Sequence, residues 1–429
     1  MKNHTTFGKL LILVLLLGLA PAAHALSLWY VDGVRPPQLI RNAYDVTSLL
    51  NAGYTGAGQT IIIVDSFGSP TIAQDLKTFD AGLGLPDPPS FTVLAPFGSV
   101  PFDPNNPDQV GWALETTLDV ESAHSIAPGA SIVLLTSPVG DTNEVHSLLE
   151  FIALEKYALD HHLGNIISQS WGVPENTLFD PIGRQVVGDF EEFYKRAAQQ
   201  NVTVLAASGD QGTAGQNNSG EWYNFPVVLF PASSPWVTGV GGTSLYADAN
   251  GNYQYEPAWN NAAVTFFTGG EADATGGGVS QIFSEPDYQS GLPGPVQQIL
   301  NGYRGVPDVA YNADLLTTIW AYVGFFPDPL QNGWYIVFGT SEGSPQWAGI
   351  VAIANQYAGR PLGLLNPRLY ALGLRADSSK YFHDITVGSN AFPYAGVPGY
   401  LATPGWDPTT GWGTPKADAL VKALAQQGD

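Results

Sequence analysis

Four apolar, largely β-branched runs stand out along the chain: TIIIVD at Thr60–Asp65, SIVLLT at Ser131–Thr136, NIISQS at Asn165–Ser170 and VTVLAAS at Val202–Ser208. None alternates with polar residues in the way of a half-exposed strand. Continuous runs of this kind predict strands covered on both faces. Between them the apolar positions take a helical period, over Trp112–His124, Glu144–His161 and Asp189–Gln200. Strand–helix alternation predicts an α/β fold with a mostly parallel sheet. Chemistry in such folds collects at the carboxyl ends of the strands.

From Ala214 to about Val306 glycines, aromatics and turn residues dominate, and we expect loops and short strands there. A strand at Trp334–Phe338 then gives way to a helix after Ser341, followed by a Gly/Pro-rich tail from Phe382 to Pro415. No internal repeat and no sharp boundary divides residues 26–429, which read as one domain. Residues 1–25 read as a secretory signal: Lys2 and Lys9, a short apolar run from Leu10 to Ala20, and small residues at Ala23 and Ala25. The expectation is an exported protein, without membrane attachment once the signal is cleaved.

Composition narrows the chemistry. With 16 Lys+Arg against 38 Asp+Glu the net charge is −22, which argues against a nucleic-acid binder. Charged residues make up only 13% of the chain. In acid, 16 Lys+Arg and 7 His are all the positive charge available, so self-repulsion stays limited. The absence of cysteine excludes disulfides, thiolate catalysis and Cys-ligated zinc.

Ser341 is the first candidate nucleophile, because a serine at a helix N-terminus lies beside free N–H groups and a positive dipole end. It could equally be a simple N-cap. Gly339–Gly343 also fit G-x-S-x-G, the nucleophile elbow of α/β-hydrolases, with His383 as the one downstream histidine. Ser244, in Gly242-Thr243-Ser244, has no helix after it and reads as a turn or strand residue. A serine nucleophile needs a base. None of His124, His146, His161, His162 or His383 sits in a setting that suggests one, so carboxylates are the alternative. Glu115 and Asp119 are four apart on a predicted helix and share a face. They could share a proton there, or simply line a solvated face. Asp210, in AASGDQGT at Ala206–Thr213, follows a strand end; it is either a turn residue or, if protonated, a hydrogen-bond donor to an oxyanion.

Taken together these segments resemble the sedolisins, the serine-carboxyl peptidases with a subtilisin-like fold. The resemblance runs from Pro36 to about Leu424. It rests on Gly339-Thr340-Ser341 with Pro345, on Glu115 and Asp119 with the APGA segment Ala127–Ala130, and on Ser208-Gly209-Asp210. Ser170–Gly172, Phe230–Ser244, Gly276–Ser280 and Gly305–Asp314 follow the family's order as well. The resemblance implies a three-layer sandwich around a central parallel sheet. It implies Ser341 as nucleophile, Glu115 as general base and acid, Asp119 as the residue that orients Glu115, and Asp210 as a protonated oxyanion donor. Asp65 resembles a further acidic member of that network, and Trp171 an active-site tryptophan. A carboxylate base, with a reference pKa of about 4.3, suits acidic pH. The implied activity is acidic hydrolysis of protein or peptide substrates, with cleavage inside chains favoured over removal of N-terminal tripeptides.

The tail resembles the family's calcium site. It implies one Ca2+ held by the carboxylates of Asp384 and Asp407 and the carbonyls of Ile385, Thr403 and Gly405. Thr403 stands where many members have Gly. Sedolisin precursors usually carry a long prodomain, whereas only about ten residues lie between the expected cleavage point and Pro36. The expectation is folding without one, folding with a prodomain or inhibitor acting in trans, or an incomplete chain. Glu342, beside the nucleophile, is unusual. Two other readings stay open: a secreted binding protein on the same scaffold, and a Ser-His-Asp esterase using His383.

Overall fold

The structure, a computed structural model, describes residues 36–140, 145–261, 273–392 and 395–427. The signal segment lies outside them. Seven parallel strands form the central sheet: β1 (Thr60–Ser66), β2 (Phe91–Leu94), β3 (Ser131–Ser137), β4 (Ile166–Gln169), β5 (Thr203–Ala207), β6 (Thr238–Thr243) and β7 (Val309–Asn312), in the spatial order β7-β6-β5-β4-β1-β3-β2. The four strands expected from sequence are β1, β3, β4 and β5.

Two layers of helix cover the sheet, and the alternation of side chains along β1 shows why. Ile61 and Ile63 point into one core with Leu134, Leu205, Val240 and Trp347. Ile62 and Val64 point into the other with Leu135, Ile167, Phe151 and Phe190. Full burial of such a side chain contributes about 1.5–3 kcal/mol, so an all-apolar strand is stable only between two layers. Helices α1 (Pro107–Ile126) and α4 (Thr340–Ala358) pack together on the first face. Helices α2 (Val145–Asp160) and α3 (Pro181–Gln199) occupy the second. The result is the expected three-layer α/β sandwich.

Two elements differ from the sequence expectation. Helix α3 starts well before Asp189, because Asp180 caps it by accepting from the Gly183 N–H at 2.6 Å and Pro181 occupies its first turn. Strand β6, TGVGGT, is fully buried between β5 and β7 although it falls in the stretch read as loops and short strands. Its glycines are demanded by packing: a Cβ on Gly242 would stand 2.8 Å from Ala313 and 2.9 Å from the Trp259 ring. The strand preceding Ser341, Gly333–Val337, joins an antiparallel hairpin with Ile319–Val323 rather than the main sheet.

Candidate active site

Helix α1 begins at Asn106, whose side chain accepts from the Asp108 and Gln109 N–H groups, with Pro107 in the first turn. From Trp112 to Ile126 every residue is buried. Glu115 and Asp119 therefore do not line a solvated face: they are 3% and 0% exposed. An ionised carboxylate taken out of water costs several kcal/mol unless compensated. For Asp119 part of that compensation comes from the end of β4. Ser170, just past β4, donates to Asp119 Oδ1 at 2.7 Å. Asp65, at the end of β1, lies against Asp119 and Thr116.

These groups titrate together. Burial pushes Asp65 up to about 7, opposed by hydrogen bonds from Thr116 and Asp119. Burial pushes Asp119 up as well, and the negative charges of Asp65 and Glu115 add to it, against the Ser170 hydrogen bond. Two buried carboxyls this closely coupled do not both ionise readily, so each raises the cost of charging the other.

The nucleophile candidate is held from the other side. Gly339 has φ +106°, and its N–H donates to the Ala313 carbonyl at 2.8 Å. Helix α4 then starts at Thr340, so Ser341 sits in its first turn. Asp210, partly buried after β5, accepts on Oδ1 from both the Thr340 N–H at 2.8 Å and the Thr340 hydroxyl at 2.7 Å. The Gly209 N–H donates to Thr340 Oγ1 at 3.0 Å. A Cβ on Gly339 would come within 2.5 Å of Asp210 Oδ2, so glycine is needed both for the backbone angle and for the carboxyl. Burial pushes Asp210 up to about 6, while its Thr340 hydrogen bonds pull the other way. With Oδ1 already accepting twice, Oδ2 is the oxygen that carries a proton below that pH.

Ser341 is fully buried, and its Oγ has no hydrogen-bond partner among the described residues. An orphaned buried hydroxyl is rare outside reactive sites. Ser170 Oγ lies 3.4 Å from the Ser341 carbonyl oxygen and so spans from Asp119 to the nucleophile turn. Asp65, Asp119, Ser170, Asp210 and Ser341 are thus brought to one edge of the sheet, with Glu115 one turn before Asp119 on α1. Sequence reading quoted Ser170 and Thr340 only as parts of motifs. Their roles as hydrogen-bond donors become visible only when distant segments meet.

Trp171 and His383 differ in where they stand. Trp171, next to Ser170, donates its indole N–H at 3.1 Å to the carbonyl of Val64, the residue before Asp65, and stacks on Phe151. His383 stacks on Tyr253 at 3.6 Å and pairs, in the strand Phe382–His383, with Thr414–Pro415. Burial pushes it down to about 3, and among the described residues no contact joins it to Ser341. The esterase arrangement has no support in this geometry. Ser244 follows β6 and is a buried residue at the strand's end, as expected.

In the tail one loop reaches both candidate calcium carboxylates. The Gly405 N–H donates to Asp384 at 3.0–3.1 Å, and the Thr403 N–H to Asp407 Oδ2 at 2.8 Å. Asp407 Oδ1 accepts from the Thr409 and Thr410 N–H groups, both at 2.9 Å. Gly405 has φ +81°. The loop thus brings backbone N–H groups, rather than a cation, against Asp384 and Asp407, whose carboxylate oxygens are the donor type that a hard cation such as Ca2+ takes.

No protein-family model matches the chain. Kumamolisin from Bacillus sp. (strain MN-32) is 35% identical over 342 residues, covering 79% of this chain and 55% of the relative. Tripeptidyl-peptidase 1 from Rattus norvegicus is 32% identical over 272 residues, covering 60% of this chain and 42% of the relative. The chain thus spans about half the length of these curated relatives, 55% and 42%. Among solved structures, Pseudomonas sedolisin, a serine-carboxyl proteinase complexed with two molecules of pseudo-iodotyrostatin, superimposes with a TM-score of 0.77 at 27% identity, covering 93% of this chain and all of that one.

Proposed function

The chain belongs to the sedolisin family, and from that premise we propose that it is a secreted, acid-active endopeptidase whose nucleophile is Ser341. Protein or peptide chains are its substrates. The observation that carries this reading is the convergence of two carboxyl systems on the Ser341 turn, Asp119 through Ser170 and Asp210 through Thr340.

Ser341 Oγ attacks the peptide carbonyl as Glu115 accepts its proton, and a tetrahedral intermediate forms. Asp119, coupled to Asp65, sets the charge and orientation of Glu115. Neutral Asp210 donates from Oδ2 to the oxyanion, a contribution worth about 3–4 kcal/mol in comparable sites. Glu115 returns the proton to the leaving amine. Water then releases the acyl group from Ser341, with Glu115 again as base. Acid suits both ends of the scheme, since the donor must keep its proton and a carboxylate base is already deprotonated near pH 4 to 5.

Asp384, Asp407 and the carbonyls of Ile385, Thr403 and Gly405 would hold one Ca2+. The ion would neutralise two carboxylates and pin the tail; no step of the reaction runs through it. Residues 1–25 would direct export.

The test is hydrolysis of a denatured protein from pH 2 to 8 by wild type and Ser341→Ala. Activity confined to acid and absent from the mutant is expected. Folded wild-type protein that cleaves nothing would move the reading to a binding protein on this scaffold. The likeness to a tripeptidyl-peptidase raises a second reading, removal of N-terminal tripeptides. Cleavage of an N-acetylated internal substrate separates the two, because a tripeptidyl-peptidase needs the free amine.

A further inference from the structure

Glu342, the residue after Ser341, is fully buried. Its carboxyl meets side chains from three places. Thr318 Oγ1, at the start of the hairpin, lies 2.6 Å from Oε2. Gln346 Nε2, one turn along α4, donates to Oε1 at 2.9 Å, and Asn312 Nδ2, at the end of β7, reaches the same oxygen at 3.4 Å. None of these partners is a cation.

The carboxyl has neutral donors around it and, among the described residues, no cation to balance a charge. Thr318 has one hydroxyl hydrogen, and its Oγ1 contacts both Oε2 and the carbonyl of Val337. With that single hydrogen divided between two acceptors, a buried negative charge on Oε2 is poorly compensated. A neutral carboxyl can instead donate to Thr318 Oγ1 while the Thr318 hydroxyl turns to Val337.

We propose that Glu342 works as a neutral carboxylic acid, a proton-dependent brace that fastens the Ser341 turn to the hairpin strands at Thr318 and Val337. It is a positioning residue, and this role rests on the reading of Ser341 as nucleophile. The strand Gly333–Val337 feeds directly into the turn, so a brace at its end sets where Ser341 Oγ stands. The titratable groups facing it are Asp314 and Tyr311; Arg41 acts on Tyr311. Burial pushes Glu342 up to about 8, against the hydrogen bonds of Thr318, Asn312 and Gln346 and with a smaller addition from Asp314. A raised carboxyl stabilises the fold in acid and loses that contribution as pH climbs from about 4.5 towards 8.

The test compares wild type, Glu342→Gln and Glu342→Ala. Melting is followed at pH 4 and pH 8, and peptidase activity is assayed at pH 4 before and after an hour at pH 8. Gln is neutral at every pH and can both donate to Thr318 and accept from Gln346. We expect E342Q to melt within about 2 °C of wild type at pH 4 and at least about 4 °C above it at pH 8. It should also keep most of the pH 4 activity and recover at least about 3-fold more after the pH 8 exposure. Glu342→Ala should lower kcat at least about 10-fold at pH 4 with KM within about 3-fold. Equal wild-type and E342Q melting at pH 8, or an E342Q protein less stable at pH 4, would overturn the neutral brace. Unchanged kcat in Glu342→Ala would overturn its effect on Ser341. Melting does not depend on catalysis, so an inactive wild type would sink the peptidase reading and leave the brace still decided by the pH 4 and pH 8 curves.

Discussion

Ser170 donates its hydroxyl hydrogen to Asp119 across 2.7 Å, and the same oxygen stands 3.4 Å from the Ser341 carbonyl. This one side chain joins the end of β4 to the carboxylate helix and to the nucleophile turn. Its hydrogen bond favours the charged form of Asp119, against burial and the neighbouring Asp65 and Glu115. Ser170→Ala should therefore make Asp119 hold its proton more tightly. We expect the acid limb of kcat/KM to move up by on the order of one pH unit and kcat to fall about tenfold. A pH profile that superimposes on wild type would remove Ser170 from the network.

Asp210 is pushed up to about 6 and is a donor only while protonated. Activity should then decline as pH rises through about 6. Asp210→Asn keeps a donor at all pH and can still accept from Thr340. It should retain measurable activity and shed that alkaline limb, whereas Asp210→Ala should cost about 100- to 1000-fold in kcat. The decisive comparison is the slope above pH 6; an Asn variant with an unchanged alkaline limb would assign the limb to another group.

Stability should also be greatest in acid. Asp65 is raised to about 7, Asp75 to about 6, Glu155 to about 8 and Asp210 to about 6, each chiefly by burial. Each binds its proton more tightly folded than unfolded, so the folded state holds more protons between about pH 4 and 8 and stability falls across that window. The net charge of −22 at pH 7 works in the same direction. Differential scanning calorimetry should show Tm dropping by on the order of 10 °C from pH 4.5 to 8. A Tm that rises over this range would contradict the assignment of neutral buried carboxyls.

The tail supplies a separate test. If the loop at 403–407 binds Ca2+ through Asp384 and Asp407, a chelator at pH 6 should lower Tm by at least about 5 °C. Asp384→Ala should start from the lower Tm and no longer respond. Calorimetric titration that detects no calcium binding to the chelated wild type would dispose of the site.

What was legible in the sequence was what is local. Glu115 and Asp119 share a face because helices repeat, and Ser341 stands at a strand-to-helix change that the pattern marks. The fate of those carboxylates was not legible, since it depends on Ser170, Asp65 and the close fit of α1 against α4. Strand β6 was hidden for a related reason. Its Gly242 fits against Trp259 and Ala313, and nothing near residue 240 in the chain announces that fit. The strand before Ser341 was visible, but its partner, Ile319–Val323, could be chosen only by tertiary packing. Glu342 looked like a misplaced charge because sequence alone cannot show that its carboxyl is buried among Thr318, Gln346 and Asn312, none of them a cation.

The strand order β7-β6-β5-β4-β1-β3-β2 places the first strand deep inside the sheet, and helix α4 packs across β1, β4, β5, β6 and β7. During synthesis, the emerging polypeptide therefore holds its acidic residues long before the turn that will use them is made. No partial chain ending ahead of Ser341 contains a working constellation. Hydrolytic power would arrive in a single late step, when α4 docks, and such distant pairings make that docking slow.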